Sequence, residues 1–267
     1  MYKYVVLIIF SFLFQLSSLA YVQASSVTIR DDFAKYFQGY QGTFVLYDEG
    51  ADQYTIYNEE QSSRRLSPCS TFKIPNSLIG LETGVLKQND EQNLQKWSGK
   101  RYSIPAWNQD HTLSTAMANS VVWYYQEVAR RIGPSQMKYY IQALQYGNQD
   151  ISGGVDQFWL QSTLTISAKE QVELIRRLYK NELPFTQENM ALVRKLIILS
   201  TENNTIFSGK TGSAIENGRL VLGWFVGSVE KDGRRYFFAT NIIANAEAYG
   251  ARAKEISSQI LADLSIL

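Results

Sequence analysis

Strand-like segments near both ends of the chain, a helical middle, and no long linker between them predict an α/β fold of the α+β type. In that fold one antiparallel sheet, flanked by terminal helices, is shared by the N- and C-terminal segments, and an all-helical subdomain is inserted between them. The 267 residues are 45% hydrophobic and 19% charged, enough apolar material for a sizeable core and too little charge for a disordered solvating chain. No low-complexity tract or repeat interrupts residues 25 to 267, so one cooperative domain is expected there.

Met1 to Ala24 stands apart from that domain. One basic residue, Lys3, precedes the apolar run Tyr4 to Phe14. Gln15, Ser17 and Ser18 follow, then small residues up to Ala24. This order is that of a secretory signal peptide over 1–24, and the polar interruption leaves the run short of the roughly 18–20 apolar residues of a membrane span. The expectation is export, with no stable membrane insertion after cleavage, so the protein is secreted or extracytoplasmic.

The strands begin with Thr43 to Tyr47 and Tyr54 to Tyr57. The Asp48-Glu49-Gly50-Ala51-Asp52 turn between them predicts a hairpin. A helix follows over Ser70 to Glu82, stopped near Gly84. Further helices are expected over Leu113–Met117, Val121–Ile132, Pro134–Gln145, Ala168–Tyr179 and Gln187–Leu199. Strands return at Thr205–Ser208, Arg219–Val229 and Arg235–Ala244, and a terminal helix spans Gly250–Leu264. A cleft where sheet and helical insert meet is the natural place for a site.

Composition narrows the function classes. Lys and Arg total 26 against 25 Asp and Glu, and a net charge of +1 gives no basic footprint for nucleic acid. A single cysteine rules out an intramolecular disulfide. Beside a single histidine, it also argues against a zinc site built from nitrogen and sulfur ligands, so no metal is expected.

Five short constellations carry chemistry. In Ser70-Thr71-Phe72-Lys73 a serine and a lysine at i and i+3 share one helix face at a helix start. Free backbone N–H groups there favour developing negative charge. The apolar neighbours Phe72, Ile74, Leu78 and Ile79 point Lys73 into a dry pocket. Lys210-Thr211-Gly212 is no phosphate loop, because Asn204 stands where that loop requires glycine. It reads instead as an edge strand facing a cleft, able to bind a carboxylate. Ser120-Val121-Val122 lies between two helices, where Ser120 is also a candidate helix cap. Tyr146-Gly147-Asn148 is a turn, and Ile151 to Leu160 is a loop carrying Phe158-Trp159. Cys69 reads as a small buried hydrophobe, and His111 as a loop residue rather than a triad member.

In that order, Ser-Thr-Phe-Lys, Ser-x-Val, Tyr-Gly-Asn, Phe-Trp-Leu and Lys-Thr-Gly resemble the class D β-lactamases, the oxacillinases. The resemblance covers essentially all of residues 25–267. Ser-x-x-Lys with Lys-Thr-Gly is a general signature of penicillin-recognising enzymes. The resemblance implies a β-lactamase/transpeptidase-like domain and a small-molecule β-lactam substrate. It implies Ser70 as the acylated nucleophile and Lys73 as the base, carrying a carbamate formed from carbon dioxide, with no other cofactor. Ser120 would relay a proton toward the β-lactam nitrogen and Lys210 would support that transfer. Thr211 and Arg252 would hold the substrate carboxylate, with Gly212 and Ser213 beside them, and Arg219 as a weaker substitute for Arg252. Backbone N–H groups of Ser70 and Ser213 would form the oxyanion hole. Trp159 would donate to the carbamate, while Phe72 and Val122 wall its pocket.

A physical argument reaches the same base. A lysine half-neutral at pH 7 needs about 4–5 kcal/mol of differential solvation, which an apolar wall can supply. The neutral amine then reacts with carbon dioxide, and the product is an oxygen base able to activate water against an acyl-enzyme. Three other functions compete: a penicillin sensor that stays acylated, a cell-wall transpeptidase, and a degenerate binding protein. Val122 stands where transpeptidases usually keep asparagine, and every catalytic position is filled, so a secreted serine hydrolase is expected, monomeric or weakly dimeric.

Overall fold

The computed structural model describes residues 25–267, so the expected signal peptide over 1–24 lies outside the described residues. β1 (Ser26–Ile29), β2 (Gln41–Asp48) and β3 (Gln53–Tyr57) open the chain and α1 (Glu59–Ser63) follows. The helical insert contains α2 (Lys73–Glu82), α3 (Leu113–Ala118), α4 (Val122–Ile132), α5 (Pro134–Leu144), α6 (Ala168–Lys180) and α7 (Gln187–Leu196). β4 (Ile198–Glu202), β5 (Thr205–Glu216), β6 (Arg219–Lys231), β7 (Arg234–Ile243) and α8 (Gly250–Asp263) complete the domain. The expected sheet shared by the two ends is present, with strand order β1-β3-β2-β7-β6-β5-β4.

Three details differ from the sequence reading. The sheet is mixed, because β1 pairs in parallel with β3; four residues of ordinary polarity give no periodic signal. The helix expected over Gln187–Leu199 ends at Leu196, and Ile198 and Leu199 begin β4, since β-branched and apolar residues suit either state in so short a run. The strand expected over Thr205–Ser208 runs on to Glu216, so Lys210-Thr211-Gly212 lies within it.

The sheet is buried on both faces. Val45, Tyr47, Trp224, Val226, Phe237 and Ala239 join the larger core under the helical insert. Their strand neighbours Phe44, Leu46, Phe225 and Phe238 join a second core under α8 and the 3-10 segment Asp31–Phe37. Side chains alternate across a strand, so two covered faces favour consecutive apolar residues, as in Trp224-Phe225-Val226 of β6 and Tyr236-Phe237-Phe238-Ala239 of β7. Each buried ring contributes about 2–3 kcal/mol, so the sheet is the rigid plate against which the site is set.

One structural feature positions the site directly. β4 pairs with β5 from Thr205 to Ser208, where Ser208 faces Ile198. Gly209 N still donates to Ile197 O at 2.8 Å, and beyond it β5 has a strand partner, β6, on one side only. The 3-10 turn Cys69–Phe72 packs against the other side.

Candidate active site

Ser70 sits in that 3-10 turn, directly ahead of α2, and is half-buried. Lys73 opens α2 and is fully buried. One helical turn separates them, and Lys73 Nζ donates to Ser70 Oγ at 2.8 Å. The Tyr125 ring of α4 lies 5.4 Å from the amine. Burial, and then the charge of Lys210, hold the Lys73 amine well below the usual lysine range.

The wall beside Lys73 is aromatic and dry. Phe72 stacks on Trp159 with centroids 5.3 Å apart and meets Phe158 and Tyr146 edge-on at 5.0 and 5.6 Å. All four rings are buried. Of the two valines in Ser120-Val121-Val122, Val121 is fully buried while Val122 is half-buried.

The loop carrying Trp159 is tied to the nucleophile at several points. The Trp159 carbonyl accepts from Cys69 N at 3.1 Å and from Ser67 Oγ at 3.0 Å, and Trp224 Nε1 donates to Ser67 O at 2.9 Å. Leu66 and Ile166 bridge their backbones in both directions. Tyr146-Gly147-Asn148 is the clasp at the loop's other end. Gly147 has φ +52°, and a Cβ there would lie 1.9 Å from Thr165 O, so only glycine fits. Asn148 donates to Thr163 O at 2.8 Å and accepts from Thr165 N at 2.9 Å.

The opposite wall is β5. Lys210 is 6% exposed and its Nζ donates to Thr211 O at 3.1 Å. Burial brings its pKa down to about 8. Gly212 lets the strand approach the nucleophile: a Cβ there would lie 3.0 Å from Pro68 O and 3.3 Å from Ser70 N. Thr211 is half-buried and Ser213 exposed, and Ser213 Oγ accepts from Gly250 N at 2.9 Å, which pins the start of α8 to the strand. A hollow of about 280 Å³ opens beside this wall, lined by Met117, Ala118, Leu199, Lys210, Thr211 and Lys254 among others. Of the three residues Ser70, Lys73 and Lys210 this hollow is lined by Lys210 alone, and three larger hollows, about 1120, 610 and 300 Å³, are lined by none of them.

Ser120 occupies the turn between α3 and α4 with φ +54°. It does not cap α4: Val121 holds that position. The helices flanking it reach both walls, Tyr125 beneath Lys73 and Met117 beside Lys210. Cys69 has φ +49°, is buried, and its thiol is pushed up to about 11 by burial, in keeping with an inert hydrophobe. Left-handed backbone at two non-glycine residues costs about 1–3 kcal/mol each, and such strain gathers at functional sites.

Arg252 does not join this group. Its Nη1 donates to Glu255 at 2.6 Å and its guanidinium lies 5.7 Å from the Tyr40 ring, so a carboxylate and an aromatic face already hold it. Arg219 is exposed at the start of β6, beside the largest hollow. His111 is buried, with Nε2 2.8 Å from Ala106 O and Nδ1 3.1 Å from Thr115 Oγ1, a loop-bracing role as expected.

Sequence reasoning missed Tyr125 and Gln171. Tyr125 floors the amine and bonds Ser77 Oγ at 3.0 Å, while Gln171 of α6 donates to Thr71 Oγ1 at 2.8 Å and steadies the turn. Periodicity marks both only as inward-facing positions on helices.

Residues 42–262 match the family described as the penicillin binding protein transpeptidase domain. "Probable beta-lactamase YbxI" of Bacillus subtilis (strain 168) is 40% identical over 241 residues, covering 90% of this chain and 86% of that protein. "Regulatory protein BlaR1" of Bacillus licheniformis is 39% identical over 233 residues, which are 86% of this chain but 38% of that protein. The solved structure titled "Class D beta-lactamase BAT-2" superimposes with a TM-score of 0.83 at 42% identity, covering 88% of this chain and 96% of that one.

Proposed function

The chain belongs to the penicillin-binding protein transpeptidase-domain family and, within it, to the class D β-lactamases, and from that premise we propose that it is an extracytoplasmic hydrolase opening β-lactam rings through an acyl-enzyme on Ser70. The observation that carries this reading is the buried Lys73 amine 2.8 Å from the Ser70 hydroxyl, in surroundings that disfavour its charge through burial and then the Lys210 charge. A neutral amine takes the hydroxyl proton as Ser70 Oγ bonds to the lactam carbonyl carbon. The ring C–N bond then breaks, and the nitrogen takes a proton relayed through Ser120 beside the Lys210 charge. The carbonyl oxygen, negative in the transition state, lies against the backbone N–H groups of Ser70 and Ser213. Water next attacks the Ser70 ester, gives its proton to the base, and the ester bond to Oγ breaks to restore the hydroxyl.

Carbon dioxide bound to Lys73 as a carbamate would supply an anionic oxygen base for both half-reactions. The surroundings suit that addition. Formation of the N–C bond requires a neutral amine and releases one proton, and the Phe72–Trp159 wall excludes the water that favours reversal. The Trp159 indole N–H, on that same wall, would be the donor for a carbamate oxygen. Export rests on the pattern of Met1–Ala24, and among the described residues no helix is long and apolar enough to cross a membrane.

Intact-mass measurement after brief exposure to benzylpenicillin, with and without bicarbonate, tests the reading. The expected result is a transient adduct, absent in Ser70→Ala, that clears faster with bicarbonate at mildly acid pH. The match to BlaR1 favours a second reading, acylation without release, and an adduct that persists through excess drug replaces the hydrolase with that sensor-like behaviour.

A further inference from the structure

Tyr125 is wholly buried on α4, and several contacts pin it to the opening turns of α2, which carry Lys73. Ser77 Oγ gives its one proton to Lys73 O at 2.8 Å, so the Tyr125 hydroxyl, 3.0 Å away, gives its own to Ser77 Oγ. Asn76 Nδ2 donates to Tyr125 O at 3.2 Å. Tyr124 meets the ring edge-on at 5.5 Å, and Met117 Sδ lies 3.9 Å from the hydroxyl oxygen. Held in this way, the ring turns its face to Lys73 Nζ, which lies over it 5.4 Å from the centroid.

An ammonium over a tyrosine face at this distance is attracted by the ring quadrupole, and a neutral amine is not; the attraction grows where water is excluded. The ring therefore acts against burial and the Lys210 charge, both of which favour loss of the proton. Around the amine, the titratable groups that act on it are Lys210 of β5 and the Cys69 thiol of the 3-10 turn, which burial keeps protonated. The loop beside it presents Phe158 and Trp159, and α7, which also packs on α2, buries Met190 and Val193; no charge from either acts on the amine. Burial, with Tyr124 and Asp90 adding to it, pushes the Tyr125 phenol well above its usual range, so the ring itself stays uncharged.

We infer that Tyr125 is a positioning residue for the Ser70–Lys73 pair, its ring face holding the Lys73 ammonium and so setting the pH at which Lys73 becomes a base. The consequence for catalysis rests on the hydrolase reading: Lys73 is poised between its two forms rather than fixed in the neutral one. Carbon dioxide adds only to the neutral amine, so the ring also sets the pH below which a carbamate on Lys73 is lost.

The test keeps the shape of the ring and changes its charge distribution. Tyr125 is replaced by phenylalanine, 3,5-difluorophenylalanine or pentafluorophenylalanine. The titration of Lys73 is followed by carbon-13 NMR of the lysine ε-carbons in buffer free of carbon dioxide, its signal assigned by its loss in Lys73→Met. Tyr125→Phe should titrate close to the native protein. Fluorination withdraws the negative face, so the midpoint should move stepwise to lower pH, by roughly 0.5 to 1.5 pH units for the pentafluoro ring. With labelled bicarbonate present, the carbamate signal and the acid limb of benzylpenicillin turnover should persist to correspondingly lower pH. A midpoint that ignores fluorination, or moves upward, overturns the assignment while the hydrolase stands. A downward series in a protein that never turns over benzylpenicillin keeps the assignment and overturns the hydrolase reading.

Discussion

The two walls of the cleft each bury a lysine, and the two lysines differ in what surrounds the nitrogen. Lys73, on the α2 wall, has the Ser70 hydroxyl at 2.8 Å and the Tyr125 ring at 5.4 Å, and its proton affinity is reduced by burial and by the charge of Lys210. Lys210, on the β5 wall, gives a hydrogen bond to the Thr211 carbonyl at 3.1 Å, and burial brings it only to about 8. Burial lowers both lysines, and it acts furthest on Lys73, where the charge of Lys210 adds to it. The Lys73 amine is thereby pushed toward its neutral form, while Lys210 stays nearer its ordinary range. The charge of Lys210 therefore bears on Lys73 as well as on its own surroundings.

The largest effect that tests this contrast is Lys73→Met. Turnover should fall at least about a thousandfold with loss of the base. The variant should also resist urea better by about 1 kcal/mol or more, since a hydrocarbon replaces a buried amine. A turnover loss below tenfold would break the comparison.

Lys210→Met should cost roughly a hundredfold in kcat/KM. It should also move the acid limb of the pH profile upward. Removing a nearby positive charge makes protonated Lys73 easier to accommodate, so its pKa rises and more alkali is needed to free the base. An acid limb that stays put would separate the two lysines and leave Lys210 a single role.

The smallest effect is the alkaline limb of the native protein. Activity that needs the Lys210 cation should be about half its maximum near pH 8 and decline beyond it. Stability should move the other way. The folded pKa of Lys210 lies below the unfolded value near 10.5, so between about 8 and 10.5 the unfolded chain binds more protons and resistance to urea rises with pH, by roughly 3 kcal/mol for this group. A flat urea midpoint over that window would show Lys210 to be better solvated than its 6% exposure implies.

Much of this site could be read before any fold was known, because its parts are short and local. Ser70 and Lys73 are one helical turn apart, so their meeting follows from helix geometry alone, and Phe72, Ile74 and Leu78 already marked the pocket as dry. Gly147 and Gly212 occupy positions where a Cβ would collide with backbone or crowd it, which is why each sits inside a recognisable motif. The parallel β1 was not legible, since its partner β3 lies far along the chain, and the glycines and polar residues of β5 past Ser208 hid a strand that its hairpin with β6 completes.

The amino-acid sequence alone determined the two ends of the sheet, the helical insert, the pairing of Ser70 with Lys73, and the Lys-Thr-Gly motif. Only the tertiary structure decided that Gly250 docks α8 at Thr211 and that Arg252 is taken up by Glu255 and the Tyr40 ring. It alone also placed Tyr125 under Lys73 and stacked Trp159 on Phe72. Contacts within one turn of chain are set by covalent geometry, whereas contacts between elements are set by packing, which no local pattern encodes.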